Sequence, residues 1–189
     1  LRIEGMPIGG NRLTARSIPM NYSKLLASAA LIAGFAAPVA FAASSTDAKD
    51  VQNTKVSLAD AITAAQNAGS GKAIYGKFHE THGVGKYEVV VVNNGKTDTY
   101  EVDPSTGEAV KAKRDDAAKA DKKGEATIQS AQTGLATAIN TAEKQGGHAL
   151  EAELDTKKNT TAYEIEVANG DNTSTVWVDI NTGQIIKKS

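Results

Sequence analysis

His79-Glu80-Thr81-His82 is the stretch whose residue types come nearest to chemistry. On a helix, two histidines at i and i+4 with a Glu between them bring both imidazoles onto one zinc ion and leave the Glu as a general base. Here the spacing is i, i+3, and the stretch lies at a strand end beside the loop Gly83-Val84-Gly85. His79 and His82 are therefore candidate ligands for weak divalent-metal chelation, set against the bland alternative of two solvated loop histidines. His148, after Gly146-Gly147, reads as a lone loop residue. Glu151 with Glu153, and Glu164 with Glu166, alternate along strands, which puts each pair on one sheet face and favours a solvated outer face over an acid/base pair.

Other chemistries are excluded or unsupported. The chain has no Cys, so disulfides, thiolate nucleophiles, iron–sulfur clusters and cysteine zinc sites are ruled out together. Neither a Gly-x-Ser-x-Gly elbow nor a phosphate-cradling loop occurs. The expectation is a protein that is not an enzyme and needs no cofactor. With a formal charge of -1 and no basic stripe interleaved with aromatics, nucleic acid is not an expected partner.

The compartment is read from residues 20–42. A short positive start at Met20-Asn21-Tyr22-Ser23-Lys24 precedes the apolar run Leu25–Ala37, then Pro38 and the small-x-small site Ala40-Phe41-Ala42. That order is a secretory signal with cleavage expected after Ala42, Ala43 being the next choice, and an uncleaved anchor the alternative. Residues 1–19 do not begin with Met and have no apolar period; they read as a non-native or over-extended N-terminus, with Met20 the expected initiator and Met6 the other candidate. Removing residues 1–42 takes away Arg2, Arg12, Arg16, Lys24 and Glu4 and leaves 17 basic and 21 acidic residues, net -4. A periplasmic or secreted protein without a stable membrane span is expected after cleavage.

The elements that position these residues come in two copies. Residues 43–55 read as a flexible lead-in. Ser57 caps a helix with Asp60 three residues on, Leu58, Ile62 and Ala65 form its stripe, and Gly69 closes it. Strands follow at Ala73–Glu80, Lys86–Val92 and Thr97–Val102, separated by Gly-rich or Asn-Gly turns. A last hairpin, Val102-Asp103-Pro104-Ser105-Thr106-Gly107, leads to a strand near Lys111; Asp103 and Gly107 are assigned to the turn. Residues 114–132 read as a charged linker. Beyond it Leu135, Ile139 and Ala142 repeat the stripe at an offset of 77, and Tyr163, Val178, Asp179 and Gly183 repeat Tyr87, Val102, Asp103 and Gly107 at 76. The expected fold class is α+β: two tandem modules, 56–113 and 133–189, each one helix packed on a small antiparallel sheet of three to four strands.

The Ser-Leu-x-x-Ala-Ile helix start, the Tyr-Glu-Val-x-Val strand and the Val-Asp-x-x-Thr-Gly hairpin resemble the PepSY domain family; the similarity covers roughly residues 56–113 and 133–188, and the hairpin signature is present in both copies. The resemblance implies a helix on an antiparallel sheet, a bacterial exported protein and a role in binding or inhibiting peptidases. A freestanding module, with no peptidase domain after it, is expected. If Tyr87, Val89 and Val91 face the helix, then Val90 and Val92 point away from it, and Trp177 points away likewise. Exposed Val90, Val92 and Trp177 would form an apolar patch that either packs the modules sheet to sheet or receives a protein partner. The reading is a non-enzymatic protein-binding module acting on peptidases of the envelope, with a ligand or metal sensor using His79 and His82 as the alternative.

Overall fold

The computed structural model describes residues 45–112, 122–157 and 160–189. The signal segment 20–42 and residues 1–19 lie outside the described residues, as does 114–121 of the expected linker. The described residues fall in one compact unit, Pro38–Ser189.

Helix α1 (Ser45–Asp50) runs into a 3-10 turn, Val51–Asn53, and is followed by α2 (Leu58–Gly69). Strands β1 (Lys72–Thr81), β2 (Val84–Asn93), β3 (Lys96–Val102) and β4 (Ala109–Lys111) complete the first copy. The second has α3 (Lys122–Ser130), α4 (Leu135–Glu143), β5 (His148–Lys157), β6 (Thr160–Asn169), β7 (Asn172–Asp179) and β8 (Ile185–Lys188).

Ser57 caps α2 reciprocally. Its Oγ accepts from the Asp60 backbone N–H at 3.1 Å, and its own N–H donates to Asp60 Oδ2 at 3.3 Å, so two orphan donors of the first turn are satisfied. The helix ends one residue later than expected, with Ser70 rather than Gly69 in the left-handed region at φ 51°. Gly69 serves close approach instead, because a Cβ there would stand 3.0 Å from the Tyr100 ring.

The sheets of the two copies are not separate. All strands join one antiparallel eight-stranded sheet in the order β4-β3-β2-β1-β5-β6-β7-β8. The first strands of the two copies meet at a short seam, Tyr75 opposite Glu153, Gly76 opposite Ala152 and Lys77 opposite Glu151. Gly76 thus faces its own counterpart at the offset of 76, which places an approximate two-fold axis between them. The expectation of modules packing sheet to sheet is corrected: they join edge to edge. Edge pairing satisfies the free N–H and C=O groups of two open strands, and leaves no periodic trace in sequence. Gly76 is required there by space, since a Cβ would fall 2.5 Å from Ile62 Cδ1.

One core spans both copies. Leu58, Ile62 and Ala65 of α2 and Leu135, Ile139 and Ala142 of α4 cluster with Tyr87, Val89, Val91, Tyr163, Ile165 and Val167, all buried. The lead-in 43–55 differs from its expectation, because Ala48 and Val51 of α1 and the 3-10 turn enter this core at 2% exposure. Within the expected linker, α3 does the same with Ile128 at 1%. Val51 and Ile128 hold equivalent places at the helical offset of 77, so each copy begins with a short helix carrying a buried aliphatic residue.

These leading helices reach across to the other copy. The Gln52 carboxamide donates to Gly170 O and accepts from Gly170 N–H, both at 3.0 Å, gripping the β6–β7 turn, and Lys49 pairs with Asp171 beside it at 3.0 Å. In the reverse direction Lys72 Nζ donates to the carbonyls of Ile128 and Gln129, at 3.0 Å each. A cation on the last carbonyls of α3 complements the negative end of that helix.

Candidate interaction surface

Residues of the outer phase, opposite the helical core, line up in two rows across the seam. One row reads Glu101, Glu88, Lys77, Glu151, Glu166 and Thr175 over β3, β2, β1, β5, β6 and β7. The other reads Thr99, Val90, Tyr75, Glu153, Glu164, Trp177 and Lys187, from β3 to β8. Strand alternation puts them there: β1 and β5 each carry a bulge at the same place, which sets Tyr75 and Glu151 in phase with these rows.

Three like-charge pairs stand directly opposite one another, Glu88 with Glu101, Glu151 with Glu166, and Glu153 with Glu164. Such pairs oppose sheet stability. Two cations offset them. Lys77 Nζ meets Glu151 Oε2 at 2.8 Å with both side chains largely shielded, and Lys86 meets Glu101 at 2.7 Å nearer solvent. Loss of hydration first, then the carboxylates of Glu151, Asp155 and Glu164, push the Glu153 carboxyl up to about 7, with Lys77 opposing. Glu153 as a residue is exposed, so the field of its neighbours, rather than deep burial, is the part of this shift that carries weight. Glu166 is raised in the same direction, chiefly by loss of hydration, with a hydrogen bond from Thr173 opposing. The Tyr75 hydroxyl is held protonated by burial and by its bond to Glu151.

Val90, Val92 and Trp177 lie outside the helical core cluster but are not exposed: they retain 4%, 0% and 5% of their surface. The expected exposed apolar patch is corrected on that count. Cross-strand neighbours cover them, Val90 lying between Tyr75 and Thr99, Val92 between Lys72 and Thr97, and Trp177 between Glu164 and Lys187. Val90 and Trp177 also stand four strands apart, about 19 Å at the usual strand spacing, so they do not form one patch.

His79 sits on β1 opposite Lys86, and His82 occupies the β1–β2 turn at φ 57°. Among the described residues no group of three or more His, Cys, Asp or Glu could hold a metal ion. Asp103 Oδ1 accepts the backbone N–H groups of Ser105 and Thr106 at 2.7 and 2.9 Å, and Gly107 closes the turn at φ 75°. Asp179 does the same for Asn181 and Thr182 at 2.9 and 2.8 Å, with Gly183 at φ 68°. Those bonds hold both carboxyls below the usual carboxylate range. The hairpins also anchor the helices, since Pro104 O accepts from Val56 N–H at 3.0 Å and Ile180 O from Thr133 N–H at 2.8 Å. Tyr87 and Tyr163 add their hydroxyls to the same loops, bonding Val56 O at 2.6 Å and Thr133 O at 2.8 Å.

The seam pair of Tyr75 and Lys77 was not singled out from sequence. The signal available was the outer phase of both residues, and it points to a partner only once β5 is known to lie alongside.

The family description "Peptidase propeptide and YPEB domain" matches residues 55–113 and 134–188, the two copies just described. The chain belongs to the PepSY family. Its two PepSY regions are modules of the peptidase-propeptide type, and the match indicates no catalytic family. Among solved structures, a Clostridium difficile 630 protein assigned as a lipoprotein is 20% identical, with a TM-score of 0.40 over 73% of this chain and 95% of its own. The C-terminal domain of YpeB from Bacillus megaterium is 14% identical, with a TM-score of 0.27 over 74% of this chain and 67% of its own. No curated protein matches this PepSY chain. No helix among the described residues is long and apolar enough to cross a membrane.

Proposed function

We propose that the protein is exported to the periplasm or the medium and acts as a protein-binding module that inhibits or regulates a peptidase of the bacterial envelope, without chemistry of its own. The observation that supports this reading best is the pair of PepSY regions built into one sheet over one shared core. Two propeptide-type modules held in fixed register offer a partner a broad preformed surface, and preformed surfaces bind with little ordering cost. The outer face is the surface we assign to the partner, with the Glu rows around Lys77 as its polar part.

The test is inhibition. The form recovered outside the cytoplasm, whose first residue should follow Ala42, is added to peptidases secreted by the same cells. Slowing of at least one at micromolar protein is expected. Unchanged rates for all of them would overturn the reading.

A further inference from the structure

We propose that the seam between the two PepSY regions is a pH-sensitive joint, tightened on mild acidification as the outer-face carboxylates around it take up protons and loosened as they ionise. Its geometry carries the argument. Only three residue pairs connect β1 to β5, and the outer face of those pairs is occupied by Tyr75, Lys77, Glu151 and Glu153. From β6, Glu164 and Glu166 stand opposite Glu153 and Glu151, from β2 Glu88 stands opposite Lys77, and along β5 Asp155 follows Glu153. Further out on β3, Glu101 faces Glu88 and is occupied by Lys86. At the seam itself Lys77 brings a cation to this group and bonds Glu151. With every carboxyl ionised, two like-charge pairs press on the β5 side of a junction held by few hydrogen bonds. Protonating one member of a pair converts repulsion into a shared hydrogen bond.

The sign follows from linkage. A carboxyl whose folded value is raised binds more protons in the folded chain than in the unfolded one. The raised values of Glu153 and Glu166 therefore give stability that is fully present below the ordinary Glu range and is lost as pH rises toward and through neutrality. A protein outside the cytoplasm meets such changes directly.

Hydrogen exchange of the full chain tests the proposal, read on peptides from β1 and β5 and on peptides from β3 and β7, at about pH 5.5 and about pH 8, after correction for intrinsic rates. Protection of the seam strands should rise on acidification about tenfold more than that of β3 and β7. Glu153→Gln with Glu166→Gln should bring seam protection at the higher pH to the acid level and cut the response to less than about twofold. Lys77→Gln should steepen the response, and it is a second variant that keeps the test alive if the first is poorly folded. His79→Gln, His82→Gln and His148→Gln should leave the response unchanged, which separates it from the ordinary titration of imidazoles. A seam response no larger than that of β3 and β7, a full response in the double Gln variant, or its loss in the His variants would overturn the joint.

Discussion

Asp103 and Asp179 act most strongly while ionised, because each holds two backbone N–H groups with one carboxylate oxygen, a better acceptor than a neutral carboxyl. Their carboxyls are depressed, so their contribution is complete above about pH 4, the ordinary Asp range, and disappears as pH falls through the folded values. Asn at both positions keeps an acceptor without a charge to titrate. The double variant Asp103→Asn with Asp179→Asn should show a flatter decline of unfolding temperature in acid than the parent, measured by calorimetry across the acid limb. An equal decline would show that other carboxyls set it. These turns are legible in sequence because each is a local event: an Asx bond, a Thr-Gly pair and a positive φ all fall within six residues. Burial of Val90 and Trp177 is less legible. Their phase is a matter of counting along a strand, but what covers them is Tyr75, Glu164 and Lys187 on other strands.

Among the elements, the capped helices and long strands announce themselves by period and punctuation, whereas α1 and α3 do not. Each is short and polar, and few aliphatic residues there enter the core, Val51 in the 3-10 turn that continues α1 and Ile128 in α3, so composition reads both as solvated chain. Their value comes from distant partners. Gln52 grips a turn 118 residues away through two hydrogen bonds. Gln52→Ala should cost about 1 kcal/mol, the usual net worth of such bonds at a partly exposed site. It should also speed exchange at the β6–β7 turn while leaving the β2–β3 turn unchanged. If both turns respond alike, the grip is not what orders Gly170.

Taken whole, the molecule has one core under two family regions, which separate small sheets would not give. The duplication is plain in the sequence, but the union of its halves is not, since hydrophobic patterning specifies which face is buried and says nothing of which edge finds which. Trp177, the single tryptophan, lies in the second region and reports on it alone if the regions unfold separately. Ile62→Ala in α2 should destabilise by about 2–5 kcal/mol, the usual range for such a core truncation. The urea midpoint seen by Trp177 fluorescence should fall with the midpoint seen by far-UV circular dichroism. A fluorescence transition left in place would mean that the regions unfold independently.

The pairing of Gly76 with Ala152 has a consequence for association between chains. In that register, β5 meeting a second β5 would set Glu151 against Glu153 twice over, and β1 meeting a second β1 would set Lys77 against Tyr75. Only the mixed seam brings Lys77 to Glu151. Divergence of the two copies has thus made β5 a poor partner for itself, and a better one for the strand it is already tethered to. The duplicated chain closes on itself where two identical copies could exchange strands between molecules.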